Sequence, residues 1–195
     1  LELLERVDTV VVDKTGTLTE GRPALTSTVT RGAIADDELL RLVASVEHVS
    51  EHPLAEAIVT GARDRGVLLA EVRDFTSVTG KGVRGVVDGR RVSVGNVKML
   101  ADEGGVAEDL IALADEKRRQ AETVMFVAVD GQPAGLVGVA DRVKATTPEA
   151  IRALHEEGLT IVMLTGDSRV TAQAVAATVG IDQVEAEVLP EGKAD

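Results

Sequence analysis

The apolar positions of this chain change their spacing several times along its length, and those changes divide it. Val10-Val11-Val12 is a continuous apolar run that ends in Asp13-Lys14-Thr15-Gly16-Thr17. Such a run, spilling into a polar loop, predicts a buried parallel strand over Val7 to Val12 with Asp13 at its carboxyl end. Glu20-Gly21-Arg22-Pro23 predicts a break in regular structure. Residues 24–30 then alternate with β composition, which predicts a strand leaving the first domain. Beyond Asp36 and Asp37 the period lengthens, and Leu39, Leu40, Leu42, Val43 and Val46 share one helical face. That helix is predicted to end near Ser50, because Pro53 disfavours α geometry in the residue before it. Leu54, Ala57, Ile58 and Ala62 line a second helix up to Gly66.

From Val72 the spacing is short again. Phe75 to Thr79, Gly82 to Val87 and Arg90 to Val94 read as strands, and Asp88-Gly89 between the last two is a two-residue hairpin signal. Asn96 to Ala101 and Ala107 to Gln120 read as helices, and Thr123 to Val129 and Ala134 to Ala140 as a hairpin turned by Asp130-Gly131. Residues 25–139 thus predict a mainly antiparallel sheet with helices on one side. At Asp141 the pattern reverts to α/β. Thr146 to Glu156 is an amphipathic helix closed by Gly158, Thr160 to Leu164 a second buried strand, and Arg169 to Val179 a helix capped by Gly180. This strand and helix belong in a parallel sheet with Val7 to Val12. The reading is one domain of residues 1–24 and 140–195, split in sequence by an inserted domain of residues 25–139.

Composition narrows the function classes. With 195 residues, 44% hydrophobic and 28% charged, the chain can bury the core of one large or two small domains. A net charge of −12 argues against nucleic acid or anionic membrane as a partner. No apolar run approaches the roughly 20 residues of a membrane helix. Cysteine is absent, so there is neither a disulfide framework nor a thiolate metal site. The only aromatic residues are Phe75 and Phe126, so a bound purine has little to stack on.

The chemistry centres on Asp13. The carboxyl edge of an open α/β sheet is where ligands bind, and a carboxylate there can attack phosphorus to form an aspartyl phosphate. Loop N–H groups, Thr15 and Thr17 suit phosphoryl oxygens, and Lys14 adds a cation. Thr165-Gly166-Asp167-Ser168 falls at the end of the second strand, where the Thr165 hydroxyl and loop N–H groups reach the same place; Asp167 or Ser168 also suits a helix N-cap.

The seven residues Asp13 to Thr19 match the phosphorylation motif of P-type ATPases. Leu164-Thr165-Gly166-Asp167 resembles their TGD motif, and Leu189-Pro190-Glu191-Gly192-Lys193 the segment that supplies their phosphate-site lysine, here Lys193. Asp141-Arg142-Val143-Lys144 resembles the family's re-entry into the phosphorylation domain, where an acidic residue meets nucleotide or the hinge. Ser50-Glu51-His52-Pro53 resembles the SEHP motif of the heavy-metal branch. The resemblance implies a truncated haloacid-dehalogenase-like, doubly wound phosphorylation domain with an inserted α+β nucleotide-binding domain. It implies adenine contacts from His52 and Glu47, a GxG at Gly80 and Gly82, the later pair Gly95-Asn96, and a nucleotide or hinge role for Asp141. It also implies ATP as phosphoryl donor, with Mg²⁺ at Asp13 and Thr15, and Lys14, Thr15, Thr165, Gly166, Asp167 and Lys193 around the transferred group. The pump's membrane and actuator domains are its implied partners. The transported ion's ligands would lie in the membrane part, and copper is expected on family frequency alone.

Two alternatives stand beside this. A soluble haloacid-dehalogenase-type phosphatase shares the fold but carries an Asp two residues after the nucleophile; here that position is Thr15, a poor proton shuttle. A nucleotide-binding regulatory module differs only in what surrounds the chain. His48-Val49-Ser50-Glu51-His52 also spells an inverted zinc-peptidase motif, but Pro53 disturbs the continuous helix that this needs. The sequence stops at Asp195, before the GDGxND stretch that completes the family's Mg²⁺ site. The expectation is therefore a soluble cytoplasmic piece of a membrane protein that binds nucleotide and phosphorylates itself weakly or not at all.

Overall fold

A computed structural model describes residues 7–105 and 107–188. In chain order the first half holds β1 (Thr9–Asp13), β2 (Thr19–Thr30), α1 (Asp36–Glu47), α2 (Pro53–Asp64), β3 (Val72–Val78), β4 (Gly82–Val87) and β5 (Arg90–Gly95). There follow α3 (Val97–Glu103), α4 (Glu108–Arg119), β6 (Thr123–Val129), β7 (Gln132–Val143), α5 (Thr147–Glu156), β8 (Thr160–Leu164), α6 (Arg169–Val179) and β9 (Gln183–Glu185). The chain divides into two compact units. The first takes the described parts of Leu1–Arg22 and Asp141–Asp195 together with Arg118–Thr123; the second takes Pro23–Lys117 and Val124–Ala140.

The first unit is built on a parallel sheet in the order β1-β8-β9. Ile161 and Met163, alternate residues of β8, are buried against Ile151 of α5 and Ala172, Val175, Ala176 and Val179 of α6. Ser168 caps α6 by accepting the Thr171 N–H, and Gly180 ends it in the left-handed region at φ 80°. The expectation that β1 is a buried strand does not hold. β1 lies at the sheet edge and Val11 is 57% exposed, because its apolar run has a β-strand neighbour on one side only among the described residues. Strand β9 was not foreseen; three residues give too short a pattern.

The second unit carries a six-stranded sheet in the order β2-β7-β6-β5-β4-β3. Both turns foreseen as hairpins have positive φ at both central residues, Asp88 and Gly89, Asp130 and Gly131, as a type I′ turn requires. Helices cover both faces rather than one. Leu40, Val43 and Ile58 of α1 and α2 pack on Val127, Val129, Val137 and Val139, while Leu100, Leu110 and Ala114 of α3 and α4 pack on Phe126, Ala128 and Leu136. The physical reason is in β6 itself, whose sequence Thr-Val-Met-Phe-Val-Ala-Val has no polar face to leave in water. The break foreseen at residues 20–23 is also absent, for β2 runs through Pro23 from Thr19 to Thr30. β2 is an edge strand, where a missing N–H donor is tolerated.

Candidate active site

Parallel pairing sets Asp13 opposite Leu164, so Asp13 ends β1 level with the last residue of β8, and Thr165 is the next residue in the chain. Beyond Asp13 the chain turns tightly. Asp13 Oδ2 accepts the Thr15 N–H at 3.1 Å, and Gly16 takes φ 79°, a conformation that a side chain would disfavour. The buried Thr19 closes the loop: its hydroxyl oxygen accepts the Gly16 N–H at 3.2 Å and lies 3.1 Å from the Lys14 carbonyl. From the other side Lys144 Nζ donates to the Gly16 carbonyl at 2.6 Å and the Thr147 hydroxyl to the Leu18 carbonyl at 2.8 Å.

Lys14 does not reach into solvent. It is 8% exposed, and its ammonium sits 2.9 Å from Asp167 Oδ2, while Asp167 Oδ1 accepts the Thr123 hydroxyl at 3.0 Å. Burying a charge demands such a partner. Because Ser168 caps α6, Asp167 is left for Lys14. Thr165 is buried; its hydroxyl oxygen accepts the Asp167 N–H at 3.1 Å, and its own N–H and carbonyl are tied to Glu185 and Val188. Among the described residues a Cβ on Gly166 would meet only Val188 O, at an ordinary 3.5 Å. Asp141 accepts three hydrogen bonds, from the Thr19 hydroxyl at 2.6 Å, the Gly21 N–H at 3.1 Å and the Arg22 N–H at 3.0 Å. Both its oxygens are thereby engaged in clamping the start of β2 beside the end of β7. Lys193 lies outside the described residues. The sequence reading gave no individual role to Thr19, Thr123, Lys144 or Thr147, each of which has a partner distant in the chain.

Mg²⁺ takes oxygen donors, commonly one or two carboxylates with substrate phosphate and water. Asp13 with Thr15 beside it suits that donor set, and Asp167 is paired with Lys14. Among the described residues no group of three or more His, Cys, Asp or Glu side chains is placed to hold a metal ion. The inverted zinc-peptidase reading fails on the helices too, because α1 ends at Glu47 and α2 begins at Pro53, with His48 and His52 on different elements.

In the second unit, the end of α1 and one face of α2 form a cleft of about 370 Å³ lined by Glu47, Ser50, His52 and Arg63 among others, within the range of ligand pockets. Glu47 is 5% exposed and its Oε2 has no hydrogen-bond partner among the described residues. Burial pushes its carboxyl up to about 7, although a hydrogen bond from Ser50 works the other way. His52 Nδ1 accepts the Leu54 N–H at 3.2 Å and so caps α2. A neutral ring then carries its proton on Nε2, and partial burial lowers the ring's pKa. Gly80, Gly82, Gly95 and Asn96 do not line this cleft; they lock to one another. Gly82 pairs with Gly95 across β4 and β5, and Asn96 donates from Nδ2 to the Gly80 carbonyl at 2.8 Å while its Oδ1 caps α3. A Cβ on Gly82 would lie 2.1 Å from Val94 O, and one on Gly95 2.2 Å from Lys81 O. These glycines are required by close strand approach, whatever else they serve.

Comparison with known proteins adds ancestry to this geometry. A model of the haloacid dehalogenase-like hydrolases matches residues 7–195. The chain is 55% identical over 193 residues to a copper-transporting P-type ATPase of Rhizobium leguminosarum bv. viciae, covering 99% of this chain and 23% of that protein. It is 48% identical to a silver exporting P-type ATPase of Salmonella typhimurium, again over 99% of this chain and 23% of that one. Among solved structures, a zinc-transporting PIB-type ATPase in its E2.Pi state superposes with a TM-score of 0.73 at 33% identity, over 98% of this chain and 31% of that one. The chain thus spans under a quarter of the length of these two curated relatives. The chain belongs to the haloacid dehalogenase-like hydrolase family and is similar over nearly its whole length to part of copper-, silver- and zinc-transporting P-type ATPases.

Proposed function

We propose that this chain is the ATP-binding and phosphorylation region of a heavy-metal transporting P-type ATPase, with copper as the exported ion. Asp13 is the nucleophile: a carboxylate oxygen attacks the γ-phosphorus of ATP, the bond to the bridging oxygen breaks, and ADP leaves. The observation that carries this is the pairing of Asp13 with Leu164 at the carboxyl ends of two parallel strands, with Thr165 next after Leu164. The hydroxyl of Thr165 keeps its proton for a phosphoryl oxygen, since it serves Asp167 N–H only as acceptor. Mg²⁺, when bound at Asp13 and Thr15, would neutralise phosphate charge. Lys14, and Lys193 by resemblance, supply further positive charge. Glu47 and His52 meet the adenine in the α1–α2 cleft, and Gly80, Gly82, Gly95 and Asn96 shape the backbone toward the rest of the nucleotide. Asp141 clamps the start of β2 beside the end of β7 and by resemblance meets the nucleotide or the hinge. The membrane and actuator domains of the longer protein are its partners. Copper rests on the naming of the relatives, several of which are copper transporters.

A phosphatase needs a second proton-transferring group beside the nucleophile, and Thr15 supplies none near neutrality. Labelling separates the two readings. The longer protein containing this chain, given radiolabelled ATP, should form an acid-stable, hydroxylamine-sensitive phosphoenzyme that Asp13→Asn abolishes. Rapid turnover of small phosphate esters without such labelling would favour the phosphatase. Titration of the chain by calorimetry should show binding of a non-hydrolysable ATP analogue, no binding of GTP, and at least about tenfold weaker ATP binding in His52→Ala, the loss expected when a hydrogen-bonding partner of the nucleotide is removed.

A further inference from the structure

Arg118–Thr123 packs with the first unit, although the residues before and after it belong to the second. Three anchors hold the segment there. Ala121 packs against the core of α5, α6 and β8, the Thr171 hydroxyl donates to the Glu122 carbonyl at 3.1 Å, and the Thr123 hydroxyl donates to Asp167 Oδ1 at 3.0 Å. Ala121 sits at φ 65°, a left-handed conformation that a residue with a Cβ rarely adopts and that persists only where the surroundings impose it. The strained alanine and the Glu122 anchor therefore place Thr123, and Thr123 meets Asp167.

We propose that Thr123 is a positioning residue for phosphoryl transfer to Asp13. Asp167 has two oxygens and two partners: Oδ1 accepts the Thr123 hydroxyl, and Oδ2, which accepts no aligned hydrogen bond among the described residues, forms an ion pair with the Lys14 ammonium at 2.9 Å. With both in place the carboxylate cannot rotate about its last torsion without losing one of them. The Lys14 ammonium, on the residue next to the nucleophile, is thereby held at one spot rather than swinging on its flexible stem. Removal of the Thr123 hydroxyl frees the carboxylate and, through it, the ammonium. Thr123 touches no reacting atom, so its influence falls on the rate of transfer and not on ATP binding.

The inference rests on the reading that Asp13 is phosphorylated, and the test keeps the two apart. In the longer protein, Thr123→Val removes the hydroxyl while retaining shape, and Thr123→Ser retains the hydroxyl. At saturating ATP the valine variant should phosphorylate about tenfold more slowly, the factor that loss of a hydrogen bond to a charged group corresponds to. Its ATP affinity should be unchanged, and the serine variant should recover nearly the wild-type rate. In the chain itself, the carboxyl ¹³C resonance of Asp167 should move in Thr123→Val and return in Thr123→Ser, with amide spectra confirming that each is folded. A valine variant that labels at the wild-type rate, a serine variant as slow as valine, or an unmoved Asp167 resonance overturns the proposal. Labelling that survives Asp13→Asn overturns the function instead, and the Asp167 resonance then still decides whether Thr123 holds that carboxylate.

Discussion

Glu47 shows what burial does to a single group. Its carboxyl has a reference value of 4.5 and is pushed up to about 7 in the fold, so the folded state holds the proton more tightly than the unfolded state. Stability is therefore undiminished below the unfolded value, falls as pH rises between the two values, and stays flat above about 7. The full difference is at most about 3 kcal/mol. Glu47→Gln, which stays neutral, should match the wild type in urea unfolding near pH 4 and exceed its stability at pH 8. Equal slopes with pH in both proteins would show that Glu47 does not titrate in this way. At this scale the sequence named the residues but not always their duties. His52 was legible as an adenine contact, and the structure adds that it caps α2. Asp167 and Ser168 were equal candidates for capping α6; only the fold shows that Ser168 caps while Asp167 meets Lys14.

Among the elements, β4 and β5 are most constrained, by Gly82 and Gly95. Gly82 stands at φ 152° with no room for a Cβ beside the Val94 carbonyl. Gly82→Ala should therefore destabilise the second unit by about 1–3 kcal/mol through overpacking, read as a lower denaturation midpoint. An unchanged midpoint would mean that β4 moves away from β5 without penalty. The glycines were legible as a motif, whereas their structural necessity was not, because it depends on a register between strands. Periodicity located most elements to within a few residues, and Thr123 to Val129, Thr160 to Leu164 and Arg169 to Val179 fell where the structure has β6, β8 and α6. It failed where exposure depends on neighbours, as for Val11 on an edge strand, and where a proline was read as a break although an edge position tolerates it.

Over the whole chain, the two units have separate hydrophobic cores, one around Ile161 and Met163 and the other around Leu40, Val43 and Ile58. Denaturation followed by methyl resonances should therefore show two transitions rather than one. Ile161→Ala should weaken the first unit by about 2–5 kcal/mol and leave the methyl groups of α1 and α2 at their original midpoint. A single transition that shifts as a whole in this variant would show the units to be energetically one.

The order of elements, the motif at Asp13, the absence of a membrane-length apolar run and the acidic, cysteine-free composition were determined by the sequence alone, because each is a local pattern or a count. That Asp13 and Thr165 fall at the carboxyl ends of neighbouring strands was foreseen as a consequence of pairing two apolar runs in a parallel sheet. Tertiary structure decided which surfaces are covered: helices on both faces of the larger sheet, β1 at an edge, and Arg118–Thr123 within the first unit. It also decided which polar groups meet, as in the Thr123–Asp167–Lys14 chain and the Asp141 clamp. Such pairings join residues 44 to more than a hundred positions apart, and a hydroxyl or carboxylate carries no sign in the sequence of the distant partner that burial will require it to find.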